Sequence, residues 1–145
     1  TRLRYSNEMI DGVARLVDNH MFHYQPEWTD AAVRRFMRKV GVDDVADLFD
    51  LRIADSLGNG LRHGFPVILD ELAARVEKEI EKGSALSTAD LAIDGREVMA
   101  RLGIPPGPEV GRALHFLLEK VTDDPSLNSN EALITLLGDF SEKKS

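Results

Sequence analysis

The strongest constraint on the fold is a proline-rich corner, GIPPGP at residues 103–108, which separates two segments of helical periodicity. Before the corner, Asp94 is a predicted N-cap, because its carboxylate can accept a hydrogen bond from an amide of the first helical turn. Gly103 is a predicted helix stop, since glycine adopts the left-handed conformation without steric cost. Pro108 suits the first turn of the next helix, whose apolar residues recur at helical spacing as far as Val121. The pattern therefore predicts two helices joined by a rigid corner.

The other segments also carry the apolar period of helices. No segment alternates with period two, so we predict an all-α fold of about seven helices in a bundle-like array. Asn128 and Glu131 resemble a capping box that opens the last helix. The linker at residues 82–88 predicts a boundary between two subdomains, residues 1–82 and 83–145. The helices outside the corner are predicted at 7–21, 29–40, 43–57, 66–82 and after 128.

Two helix faces carry specific expectations about burial. On the first helix, we expect Met9, Val13, Leu16 and Val17 to face the core, because they share one side of the helix. On the fourth helix, the alternating charges of residues 71–82, which include Glu71, Arg75 and Glu79, are typical of an ordinary solvated face.

Composition excludes several classes of protein. With 43% hydrophobic and 30% charged residues, the chain has the composition of a soluble globular protein, and no apolar run approaches the ~18 residues that a membrane span needs. The absence of cysteine excludes a disulfide scaffold and a thiolate metal site, and it suits the cytoplasm. A net charge of −7 argues against a protein whose entire surface binds nucleic acid.

The basic residues are unevenly distributed. Residues 1–64 carry 9 basic and 10 acidic side chains, whereas residues 65–145 carry 9 and 15. The second predicted helix concentrates four cations in six positions: Arg34, Arg35, Arg38 and Lys39. Residues four apart lie one turn apart, so these side chains predict a cationic strip suited to phosphate. The alternative from the residues alone is a solvated face that pairs with the acids at 43, 44 and 47.

Several stretches carry a family resemblance. DLAIDGREVM, GIPPGPEVGRAL and LLEKV, within residues 90–121, resemble the C-terminal region of bacterial tRNA nucleotidyltransferases and the related poly(A) polymerases. The similarity extends upstream through WTDAAVRRFMRKVG at 28–41 and LFDLRIADSLGNG at 48–60, so it covers nearly the whole chain. The resemblance implies the helical body and tail of such an enzyme, which seat the acceptor arm of tRNA.

The resemblance also implies what is missing. In the family, a Gly-Ser motif and an Asp-x-Asp pair on a β-sheet of an N-terminal head perform catalysis, and no strand is predicted here that could carry them. We therefore expect a piece of a longer protein with no catalytic residue and no cofactor of its own. Mg²⁺ with CTP or ATP is expected to bind the missing head. The expected partner is tRNA or another RNA 3′ region, with no membrane and no DNA. The expected RNA-binding residues are Arg34, Arg35, Arg38, Lys39, Arg62, His63 and Arg112.

A second resemblance concerns metal chemistry. Residues 5–24 also resemble the latter part of an HD-type phosphohydrolase domain, which implies His20 and Asp55 as metal ligands. The chain contains no adjacent His-Asp pair, so this site would be incomplete. A truncated HD-type phosphohydrolase is the alternative function, and a helical interaction module without an RNA role is a third.

Overall fold

The computed structural model describes residues 5–60 and 65–142. Within these residues the chain forms seven α-helices and no β-strand, which confirms the all-α prediction. None of the described helices has both the length and the apolar character needed to cross a membrane. The helices are α1 (Asn7–Asn19), α2 (Asp30–Val40), α3 (Val45–Gly58), α4 (Phe65–Glu81), α5 (Gly95–Leu102), α6 (Pro108–Asp123) and α7 (Asn130–Glu142).

Helix ends follow local capping chemistry. The Thr29 hydroxyl accepts a hydrogen bond from the Ala32 amide at 3.1 Å and thereby caps α2. The Asp94 carboxylate accepts from the Glu97 amide at 3.0 Å and caps α5, as predicted. Gly103 ends α5 in the left-handed conformation, with φ 64°. These ends are predictable because each depends on residues within one turn of the helix terminus.

The chain divides into two compact units, Thr1–Ile80 and Glu81–Ser145. In the first unit, α2 and α4 contribute most of the fully buried apolar side chains, and α3 adds Leu48. An aromatic group completes this core: the ring of Phe36 lies 5.0 Å from that of Phe22 and stacks on Phe49 at 6.4 Å. The buried apolar residues of α2 and α4 are Val33, Phe36, Met37, Val40, Leu69, Leu72 and Val76.

α1 contributes less to the core than its periodicity predicted. Met9, Val13 and Val17 are each more than half exposed, so the prediction that they are buried is wrong. Leu16 is half-buried, and the neighbouring Arg15 donates from Nε to Asp44 at 2.9 Å. The helix contacts α2 and α3. Periodicity identifies the residues that share a face, but it does not say whether another element covers that face.

The second unit is built around the predicted corner. α5, α6 and α7 enclose one cluster of buried side chains, and Gly95 lies so close to α6 that a Cβ there would stand 3.3 Å from Val110. The cluster closes through aromatic contact between Phe116 and Phe140 at 5.4 Å. The fully buried members are Val98, Ala113, Leu117, Val121, Leu133 and Leu137.

Asn128 has a different role from the predicted one. Ser129 caps α7, since its hydroxyl accepts from the Ala132 amide at 3.3 Å. The side chain of Asn128 instead accepts from the Ala92 amide at 2.8 Å and donates to the Asp90 carbonyl at 2.9 Å. It therefore joins the α6–α7 connection to the segment before α5, and the capping-box prediction is wrong at this position.

Asp90 organises the segment that Asn128 holds. Its carboxylate accepts from the Leu86 amide at 3.0 Å, the Ser87 amide at 2.8 Å and the Ser87 hydroxyl at 2.9 Å. Burial acts to raise the pKa of Asp90, but these hydrogen bonds outweigh it and bring the pKa below its ordinary value. An ionised carboxylate thus holds residues 86–90 together through three hydrogen bonds.

We expect Asn128→Ala to lower the free energy of unfolding by about 1–2 kcal/mol, because the Ala92 amide and the Asp90 carbonyl both lose their side-chain hydrogen bond. Urea unfolding followed by circular dichroism measures the change. Asn130→Ala is the matched control. Asn130 bonds only the Glu97 carboxylate, so its replacement should cost less than about 0.5 kcal/mol. Equal losses in the two variants would contradict the bridging role.

We expect Asp90→Asn to be less stable than the parent at pH 7 by about 0.5–1 kcal/mol, since a charged acceptor makes stronger hydrogen bonds and solvent screens an exposed site. Because the folded pKa is lowered, this stabilisation is complete above the unfolded pKa of about 3.9 and is lost as the pH falls through the folded pKa. Thermal unfolding between pH 7 and pH 2 should show the two curves converging in acid. A constant gap would contradict this account.

Candidate nucleic-acid interface

α2 presents two cations on its solvent side. Arg35 and Lys39 are exposed and stand one turn apart, opposite the face that buries Val33 and Met37. Arg38 lies beside them and is half-buried. The structure therefore keeps three of the four predicted cations at or near one edge of α2.

Arg34, the fourth cation, is placed in the core. Its side chain is 6% exposed and donates from Nη1 to Glu79 Oε2 at 2.9 Å, while Glu79 is 2% exposed. The prediction that Arg34 lies on the RNA-binding face is corrected, as is the prediction that Glu79 is solvated. A signal was present in the sequence: Glu79 follows Val76 by three residues and so falls in the apolar stripe of α4, where a carboxylate needs a cationic partner.

A cleft adjoins the exposed edge of α2. It has a volume of about 390 Å³, and its apolar lining consists of Ala32 and three aromatic rings, those of Phe22, Trp28 and Phe36. His23, Arg35 and Lys39 also line it, so two cations stand beside the rings. We call this site the aromatic cleft. The sequence analysis did not find it, because the rings come from the α1–α2 connection as well as from α2.

Arg75 of α4 holds the α1–α2 connection in place. Its guanidinium donates to the Trp28 carbonyl at 2.6 Å, to Asp30 at 3.0 Å and to the Tyr24 hydroxyl at 3.1 Å. That hydroxyl in turn donates to Glu71 at 2.7 Å. Burial raises the pKa of Tyr24, and the hydrogen bond to Tyr24 raises the pKa of Arg75, so both groups keep their protons. The prediction that this face of α4 is an ordinary solvated one is therefore wrong at Arg75, whose hydrogen bonds hold the α1–α2 connection.

Comparison with known proteins identifies the family of this chain. The family model described as tRNA nucleotidyltransferase domain 2 matches residues 1–137. The chain belongs to this family. The resemblance recognised in the sequence motifs is thereby confirmed. No solved structure matches the chain.

Two curated relatives are nucleotide-adding enzymes by name. The chain is 37% identical over 135 residues to the CC-adding tRNA nucleotidyltransferase of Thermus thermophilus, an alignment that covers 93% of this chain and 29% of that protein. It is 30% identical over 126 residues to the A-adding tRNA nucleotidyltransferase of Deinococcus radiodurans, covering 82% of this chain and 27% of that protein. The chain thus spans less than a third of the length of these relatives.

The structure describes one of the other three predicted RNA-binding residues of this nucleotidyltransferase-family chain. Arg112 is exposed on α6, in the second unit. Arg62 and His63 lie outside the described residues. The cations that the structure brings together are therefore those of α2, and the role of each in RNA binding stays a prediction.

The predicted metal ligands each have hydrogen-bond partners within the protein. The Nδ1 atom of His20 contacts the Val17 carbonyl at the end of α1. The Asp55 carboxylate accepts from Asn59 at 3.2 Å and pairs weakly with Arg52 at 3.4 Å. Among residues 5–60 and 65–142, no three His, Asp or Glu side chains form a group that could hold a metal ion. Metal binding by His20 and Asp55 stays a prediction.

We expect Arg34→Ala to lower the free energy of unfolding by about 3–5 kcal/mol, because it leaves the Glu79 carboxylate buried without this cation. Replacing both residues, Arg34→Met with Glu79→Leu, should recover most of the loss, since apolar side chains of similar volume fill the site. Urea unfolding followed by the fluorescence of Trp28, the one tryptophan of the chain, reports on the first unit. A double variant no more stable than Arg34→Ala would contradict the ion-pair explanation.

Proposed function

We propose that this chain is the RNA-binding part of an enzyme that adds nucleotides to RNA 3′ ends, and that it positions tRNA for catalysis performed elsewhere in the parent protein. Membership of the tRNA nucleotidyltransferase family supports the enzyme class. The observation that carries the binding role is the exposed pair Arg35 and Lys39 on α2. We expect a protein with this substrate to work in the cytoplasm.

The chemistry of the α2 edge suits an RNA backbone. An arginine guanidinium can donate two parallel hydrogen bonds to a phosphate, and a lysine one turn away adds a compact charge. A-form RNA is recognised chiefly through phosphates, 2′-hydroxyls and shape, so a positioned cationic edge serves this purpose without base contacts. Arg112 of α6 is a further candidate contact, and Arg62 and His63 are proposed on the sequence resemblance alone.

Nucleotide addition itself is proposed for another part of the parent. Nucleotidyl transfer uses divalent metals held by carboxylates, together with amides that cradle the triphosphate. We expect Mg²⁺ and CTP or ATP to bind there, and we expect this chain alone to add no nucleotide.

The HD-type phosphohydrolase alternative is not favoured. The matching family and both named relatives are tRNA nucleotidyltransferases. Ion pairing and helix-end hydrogen bonds account for the contacts of Asp55 and His20.

We expect the double variant Arg35→Ala with Lys39→Ala to bind a labelled tRNA acceptor minihelix roughly 10-fold more weakly than the parent, because two phosphate contacts are lost. The slope of log K against log salt concentration should fall by about 2, or about 1 for each contact. Fluorescence anisotropy at salt concentrations from about 50 to about 200 mM measures both the affinity and the salt slope. A DNA hairpin of the same sequence should bind more weakly than the RNA, since its B-form backbone differs in shape.

A charge-matched control separates a local contact from a general charge effect. Lys78→Ala with Arg96→Ala also removes two exposed cations, one from α4 and one from α5. We expect this variant to keep the affinity and salt slope of the parent to within about twofold, because neither residue belongs to α2. Equal losses in both double variants, or no loss in either, would overturn the proposed interface.

A further inference from the structure

The aromatic cleft combines rings with cations, whereas a surface that binds only the backbone of a duplex has no need of rings. Three aromatic rings line the cleft, and its cations, Arg35 and Lys39, are the ones assigned above to RNA. Its volume of about 390 Å³ falls in the range of small-molecule sites, ~300–1,000 Å³. Two of the described side chains that line it are cations and none is a carboxylate, so its lining suits an anionic ligand despite the acidity of the chain.

The cleft is held in shape before any ligand binds. The indole of Trp28 meets the ring of Tyr24 edge-on, with 5.3 Å between centroids, and lies 6.0 Å from Phe36. The backbone of Trp28 is held at both of its polar groups. Its amide donates to the Gln25 carbonyl at 2.9 Å, and its carbonyl accepts from Arg75 at 2.6 Å. A ligand entering here pays little for ordering the α1–α2 connection.

These features together specify the chemistry of the ligand. A nucleobase has a flat apolar face that stacks on an aromatic ring, and its phosphate requires a cation within reach. A base inside a duplex hides both faces against its neighbours, so only an unpaired nucleotide can use the rings. An apolar protein side chain would fill the cavity but would make no use of the two cations that line it.

We infer that the aromatic cleft binds an unpaired nucleotide of the RNA, with the base against the aromatic rings and the phosphate at Arg35 and Lys39. This inference rests on the proposed function and deepens it. The edge of α2 would then bind duplex backbone and single strand at adjoining positions, and so discriminate RNA with an unpaired extension from a blunt duplex.

Trp28 provides a direct test, because the chain contains one tryptophan and it lines the cleft. The protein is titrated with an RNA minihelix that carries a short single-stranded 3′ extension, and with the same minihelix made blunt. We expect the extension to raise affinity roughly 10-fold, the size of one base–aromatic stack, and to quench Trp28 emission. The blunt minihelix should bind without quenching.

A blocking variant shows whether the cleft is responsible. Ala32 lines the cleft and is half-buried, so Ala32→Met should fill the cavity with a flexible side chain and keep the helix intact. We expect it to abolish the quenching and the roughly 10-fold advantage of the extension. Ala74→Met, at an exposed position of α4, is the control and should behave as the parent.

The possible results separate this inference from the proposed function. If both minihelices bind equally well and neither quenches Trp28, the inference is overturned and the proposed function stands. If neither minihelix binds, the proposed function is overturned. A titration with a short oligoadenylate then tests whether the cleft binds a nucleotide. Saturable quenching that Ala32→Met removes would then support nucleotide binding in the cleft, and its absence would overturn it.

Discussion

The buried ion pair between Arg34 and Glu79 determines which side of α2 meets solvent. Two charges removed from water are stable only while each compensates the other, so α2 and α4 must keep this register. Turning α2 by one residue, about 100°, would take Arg34 from its carboxylate and carry Arg35 toward the core. The exposed position of Arg35 and Lys39 therefore depends on the ion pair that the buried side of α2 makes with α4.

A second contact with α4 organises the connection that precedes α2. Arg75 bonds a carbonyl, a carboxylate and a phenol hydroxyl of the segment 24–30, so one guanidinium holds the connection to the start of α2. Trp28 is thereby kept beside Phe36. α4 thus supports both parts of the candidate site, the cationic edge through Glu79 and the aromatic rings through Arg75.

An acidic chain can still carry a surface that attracts RNA, because electrostatic interactions between exposed charges are local. At physiological salt the screening length is about 8 Å, so acids farther than this from α2 weaken its attraction little. The net charge of −7 disfavours binding elsewhere on the surface. The acidity of the chain is therefore compatible with the RNA interface proposed at the α2 edge.

The sequence by itself determined the all-α class, most helix ends and the family, because caps and stops such as Thr29 and Gly103 act within one turn and motifs are read in order. It also indicated the cations of α2, but not which of them are exposed. Only the tertiary structure decided that Arg34 is buried, that Val13 is uncovered and that Asn128 bridges two segments. The aromatic cleft, too, is a feature that only the tertiary structure decided. Each depends on residues distant in sequence, and periodicity carries no information about which element packs against a given face.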